Sequence, residues 1–178
     1  MPAWILGLHC SNFSSSLCSA LVNTNNNNNK DSTDGADILF MLDGSEGVSD
    51  QAFKDLKKFV SNQHKLYNIS SDTNRIGMMV IGDNKQFTGF LDNLVDIQYR
   101  MTRLEKAGGE RRVEDTMNEV LKYWLSYFRD DKDHVIVLFL HGRNARDGVD
   151  KLSTAAKNLR GRHSCFHIQI LSVFEVKF

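Results

Sequence analysis

Proline is almost missing from this chain: the one proline among 178 residues is Pro2. Beyond the first residues, then, no helix or strand is interrupted by a ring that fixes φ and removes a backbone donor. Cysteine is scarce too. Of three cysteines, Cys10 and Cys18 lie near the N-terminus and only Cys165 falls in the later part, where a small buried thiol on a strand is expected. No Cys-x-x-Cys spacing occurs, which leaves a zinc ribbon or a thioredoxin-like redox pair unsupported. Net charge is absent, with 22 Lys+Arg against 22 Asp+Glu, so bulk charge gives no ground to expect nucleic acid or an anionic membrane as partner. No apolar run reaches the roughly 18 residues of a membrane span. Gly-rich phosphate-binding patterns are lacking as well.

What remains is an ordinary globular composition, 41% hydrophobic and 25% charged, on a chain long enough to bury a full core. Residues 1–36 read as a leader outside the domain. Trp4-Ile5-Leu6-Gly7-Leu8 is a short apolar stretch, and Cys18-Ser19-Ala20 offers small residues where a signal peptide is cleaved, although no Lys or Arg precedes it. Asn25 to Asn29 is a polar low-complexity tract that cannot bury a core. Residues 37–178 carry the periodic segments.

The most informative stretch runs from Ala36 to Gly47: a continuous apolar run of strand length that ends in Asp43-Gly44-Ser45. Phe53, Leu56, Val60 and Tyr67 then recur at helical spacing, with lysines on the opposite face. Arg75 to Gly82 reads as a second buried strand, and Gln86 to Leu91 as its hairpin partner on an antiparallel edge. Leu94, Ile97, Met101 and Leu104 predict another helix, ended by Gly108-Gly109. Val113, Met117, Val120, Leu121, Trp124 and Phe128 predict a longer one. Val135 to Leu140 is a central strand, Val149 to Leu159 a helix, and Phe166 to Val176 the last strand. Strands alternating with helices imply right-handed crossovers and a doubly wound, mostly parallel α/β sheet with helices on both faces. Asp43 and Ser45 then sit beyond the carboxyl end of a buried strand, where open α/β sheets bind ligands.

This order of elements, with the Asp43-Gly44-Ser45-Glu46-Gly47 loop, resembles a von Willebrand factor A domain, and the wording is most like the A domains of type VI collagen-like matrix proteins. The resemblance implies a Rossmann-like fold from about Asp37 to Val176 that is usually closed by a further helix, which is not evident before Phe178. It also implies a divalent cation held by three loops: an Asp-x-Ser-x-Ser motif, a Thr beside a Gly-rich turn, and an Asp after the central strand. A hard cation such as Mg²⁺ takes oxygen ligands and keeps some waters. Here Asp43 and Ser45 match, but Gly47 replaces the second hydroxyl, Glu110 falls at the Thr and His141 at the Asp.

Three readings of the degenerate site, Asp43, Ser45, Glu110 and His141, stay open. Asp43 and Ser45 can persist as turn-capping groups without metal. Asp43, Glu110 and His141 can hold a borderline metal such as Zn²⁺. Asp43, Ser45 and Glu110 can hold Mg²⁺ or Ca²⁺ weakly. No cofactor is the expectation, with Mg²⁺ or another divalent cation as the alternative. Catalysis is not expected: Asp43 stands where a nucleophile elbow needs Gly, and no ordered Asp and His follow. The resemblance implies a secreted, non-enzymatic adhesion module that binds matrix proteins or neighbouring A domains; with the ligand positions changed, that binding is expected to need no metal. Its top loops offer Glu46, Glu110, Arg111, Arg112, Arg143, Asn144 and Arg146 to a partner. The alternative is a metal-dependent ligand-binding receptor domain.

Overall fold

The computed structural model describes residues 35–63, 67–141 and 166–173. Residues 1–34 of the leader, the helix expected over Val149 to Leu159, Cys165, the loop residues Arg143, Asn144 and Arg146, and anything closing the fold after the last strand lie outside them; Ala36, assigned to the leader, is instead the first residue of the opening strand.

Among the described residues, five strands form one sheet: β1 (Ala36–Asp43), β2 (Arg75–Ile81), β3 (Gln86–Leu91), β4 (Asp133–His141) and β5 (Phe166–Val173). Their spatial order is β3-β2-β1-β4-β5. β1 runs parallel to both β2 and β4, with Ile38 opposite Ile76 on one side and Val135 on the other, and β4 runs parallel to β5. Only β3 is antiparallel, at the edge beside β2. The expected architecture is therefore the observed one. Because β1 is covered on both faces, every one of its residues is buried, which is why it reads as an unbroken apolar run rather than an alternation.

Three helices complete the described fold: α1 (Asp50–Gln63), α2 (Leu94–Arg103) and α3 (Val113–Glu119). α3 continues through a π turn over Val120–Trp124 and a 3₁₀ turn over Leu125–Tyr127, so the single long helix expected there changes its winding twice. Even-numbered β1 residues Ile38, Phe40 and Leu42 pack under Phe53, Leu56 and Val60 of α1 and Ile97 and Met101 of α2. Odd-numbered Leu39 and Met41 pack under Val113, Met117 and Val120 on the other face. Each such side chain removed from water contributes about 1.5–3 kcal/mol before entropy is counted. Leu94 departs from its expected place in the apolar stripe and is exposed, while Ile97, Met101 and Leu104 are buried. Tyr67 lies beyond the end of α1, and burial pushes its hydroxyl up to about 12.

The register between β2 and β3 shifts between Gly77 and Met79. There the Thr88 hydroxyl accepts a hydrogen bond from the Met78 N–H at 3.0 Å, replacing the ladder bond that the bulge displaces.

Candidate functional site

The carboxyl ends of β1 and β4 meet at the crest of the sheet, and two loops lie over them. The first loop follows β1. Its Asp43 is fully buried and Ser45 nearly so. Asp43 Oδ1 accepts hydrogen bonds from the Ser45 N–H at 3.2 Å and the Ser45 hydroxyl at 2.7 Å, the short-range capping that Asp and Ser adopt in tight turns. Asp43 Oδ2 accepts a hydrogen bond from the His141 N–H, at the end of β4, at 3.1 Å.

The second loop, residues 104–112, is laid onto the first by backbone bonds. The Gly108 N–H donates to the Gly44 carbonyl at 2.9 Å, and the Glu46 N–H donates to the Gly109 carbonyl at 2.8 Å. This path requires φ of +67° at Gly108 and +64° at Gly109, a left-handed conformation that costs other residues about 1–2 kcal/mol. Further back, Lys57 of α1 reaches across to the Leu104 carbonyl at 2.7 Å and Lys106 to the Val48 carbonyl at 2.6 Å. Burial, outweighing the pull of Glu105, lowers the Lys57 pKa from its ordinary value.

This loop places Arg111, not Glu110, over Asp43. Arg111 Nε lies 2.7 Å from Asp43 Oδ2, with the Arg111 side chain 20% exposed and that of Asp43 at 0%. Nε is buried without an aligned hydrogen bond, so the contact is an ion pair held by charge more than by direction. The same guanidinium donates through Nη2 to the His141 carbonyl. Asp43 thus meets one cation, two donors from Ser45 and one backbone donor from His141.

The expected residues divide accordingly. Asp43, Ser45 and the backbone of His141 come together. The Glu110 side chain is 85% exposed and lies 4.0 Å from Arg112 Nη2. Among the described residues no group of three or more His, Cys, Asp and Glu is gathered as a metal ion would need. Glu46 and Gly47 are exposed on the first loop. Arg112 is half-exposed and pairs with Asp83 at 3.1 Å and Asp115 at 3.8 Å. Arg111, expected among the partner-facing charges, is turned inward. The signal that could have found this was Asp43 itself, since a buried carboxylate needs a compensating charge.

A second charged cluster, not anticipated from the sequence, lies at the opposite end of β1. Asp37 is fully buried. It accepts from Arg75 Nε at 2.9 Å and Nη2 at 2.7 Å. It also accepts from the Arg129 N–H at 2.7 Å and Arg129 Nε at 3.0 Å. Burial pushes its carboxyl up, yet the hydrogen bonds from Arg75 and Arg129 outweigh that and leave it below the ordinary value of 3.8.

The family model for the von Willebrand factor type A domain matches residues 37–173. The human collagen alpha-5(VI) chain is 21% identical over 141 residues, 76% of this chain but 5% of that protein. The mouse collagen alpha-4(VI) chain is 22% identical over 133 residues, 73% of this chain and 6% of that one. This chain therefore spans only a small fraction of the curated relatives it matches. Among solved structures, manganese-loaded TRAP protein from Plasmodium vivax superposes with a TM-score of 0.62 at 14% identity, covering 81% of this chain and 59% of that one. Proximal thread matrix protein 1 from the mussel byssus, with a zinc-occupied MIDAS motif, gives 0.61 at 16% identity, covering 80% and 38%. The SpRpn10 VWA domain gives 0.55 at 18% identity, covering 80% and 77%. At these identities the superpositions establish the fold alone. With the strand order, the crest loop after β1 and the family match in agreement, the chain belongs to the von Willebrand factor type A domain family.

Proposed function

We propose that this chain is a non-enzymatic protein-interaction module of the extracellular matrix, whose binding needs no cation to bridge it to a partner. The observation that carries this is the state of the Asp43 carboxylate. A divalent ion held at this crest would draw on Asp43 for lone pairs, and a carboxylate offers about four. Two face Ser45 donors, one the His141 N–H and one the Arg111 guanidinium. As arranged, these residues do not fit a hard cation. The likeness to the collagen VI chains supports a secreted setting and matrix proteins or neighbouring domains of the same family as partners. Ordinary side-chain contacts would then do the binding, with exposed Glu46, Glu110 and Arg112 on the described part of the crest, and with Arg143 and Asn144, outside the described residues, as further candidates.

The alternative is a metal-dependent receptor domain using Asp43, Ser45, Glu110 and His141. It requires Glu110 to turn inward and Arg111 to leave Asp43. Binding to an immobilised panel of collagens and tandem A domains, measured in EDTA and again in Mg²⁺, separates the two. Equal affinity in both buffers is expected. Binding that EDTA abolishes rejects metal independence, and a folded protein that binds nothing on the panel rejects the matrix role.

A further inference from the structure

A buried carboxylate can be neutralised from many directions, yet Asp43 is neutralised from the loop where the family resemblance expects a metal ligand. Arg111 Nε lies 2.7 Å from Asp43 Oδ2, while Nη2 of the same group donates to the His141 carbonyl. The guanidinium therefore joins the ends of β1 and β4 through two oxygens, one anionic and one neutral, of the kind a hard cation would also take. The two left-handed glycines and the bonds from the Gly108 N–H to the Gly44 carbonyl and from the Glu46 N–H to the Gly109 carbonyl hold the Arg111 backbone in that position. Nε has no aligned hydrogen bond even though it is buried. Charge rather than bond direction secures the contact, and charge is what a spherical ion would supply equally well.

We infer that Arg111 is a tethered counter-cation standing in the place of a divalent ion over Asp43, so that Arg111 itself, and not only the changed ligands at Gly47, Glu110 and His141, keeps metal out. This inference rests on the metal-independent reading above and adds the group responsible. It also implies that restoring the hydroxyl and carboxylate ligands by G47S, E110T and H141D leaves the site closed to metal while Arg111 remains.

The test is thermal unfolding of the wild type, R111Q, R111K, D43N and the D43N/R111Q double variant, each in EDTA and in millimolar Mn²⁺. R111Q is expected to melt about 5 °C below wild type in EDTA, a shift that measures the loss of compensation at Asp43. Mn²⁺ should recover part of that loss, and D43N/R111Q should show neither the full loss nor the recovery. R111K keeps the charge and is expected to melt close to wild type without responding to Mn²⁺. It serves as the deciding variant if R111Q does not fold. An R111Q protein that is undisturbed, or that is destabilised but deaf to Mn²⁺, overturns the inference and leaves metal-independent binding intact. So does an R111K protein that falls in melting temperature or takes up Mn²⁺. A wild-type protein stabilised by Mn²⁺ in a D43N-sensitive way overturns both readings.

Discussion

The two ends of β1 carry the same residue in the same state of burial and treat it differently. Asp37 at the lower end and Asp43 at the crest are both fully buried. Asp37 is gripped by two arginines, each with aligned donors, whose remaining donors reach the Tyr127 carbonyl at 3.0 Å and the Thr73 carbonyl at 2.6 Å. Arg75 also lies over the Phe90 ring, 5.3 Å from its centroid. Asp43 has one arginine, unaligned at Nε, and two loops that meet it. Paired and hydrogen-bonded on every side, the lower carboxylate belongs to the architecture. The upper one is compensated with little to spare, at the end of the sheet where open α/β folds place their ligands. One strand thus separates a fixed end from an adjustable one.

The sharpest way to break this contrast is to remove each acid. Asp37→Ala should destabilise by about 3 kcal/mol in urea unfolding, because two partly shielded arginines lose their partner. If it costs no more than Asp43→Ala, the two ends do not differ in energy. Acid titration sharpens the contrast next. Since the Asp37 carboxyl is held below 3.8 in the fold, the folded protein binds fewer protons there than the unfolded chain. The resulting stability is fully present above about pH 5 and is lost as pH falls through the lowered folded value. Wild-type unfolding free energy should therefore decline more steeply than that of Asp37→Asn below about pH 4. A smaller effect probes the crest: Gly108→Ala meets no neighbouring atom but forces φ +67° on a residue with a Cβ. It should cost about 1 kcal/mol from backbone strain alone, read from the shift in urea midpoint. Least of all, Gly47→Ser, also in open space, should change stability by under about 0.5 kcal/mol.

Local pattern was enough for most of the sheet. The apolar runs Ile38 to Leu42, Ile76 to Ile81 and Val135 to Leu140 are legible because strands buried on both faces leave no polar face to confuse the period. The antiparallel edge was legible because too few residues separate Gly82 from Gln86 for a crossover, which leaves a hairpin. Leu94 was misplaced because helical spacing assigns a face without saying how far along the helix the sheet extends. At the crest, Asp43 and Ser45 stood out through their position after β1. The choice of Arg111 over Glu110 did not, since it depends on the backbone turn made by Gly108 and Gly109. The Asp37 cluster was invisible for a related reason. Its partners lie 38 and 92 residues away, and an acid at the head of an apolar run reads as a strand boundary.

Residues 37, 39, 41 and 43 share one side of the pleat, and the two acids close that row at either end. If β1 slid by a single position between β2 and β4, both carboxylates would cross to the face covered by α1 and α2, away from all three arginines. Purely aliphatic strands forgive such misthreading, but here it would strand two negative charges in oil. The central strand is thereby keyed at both tips and can enter the sheet in only one alignment.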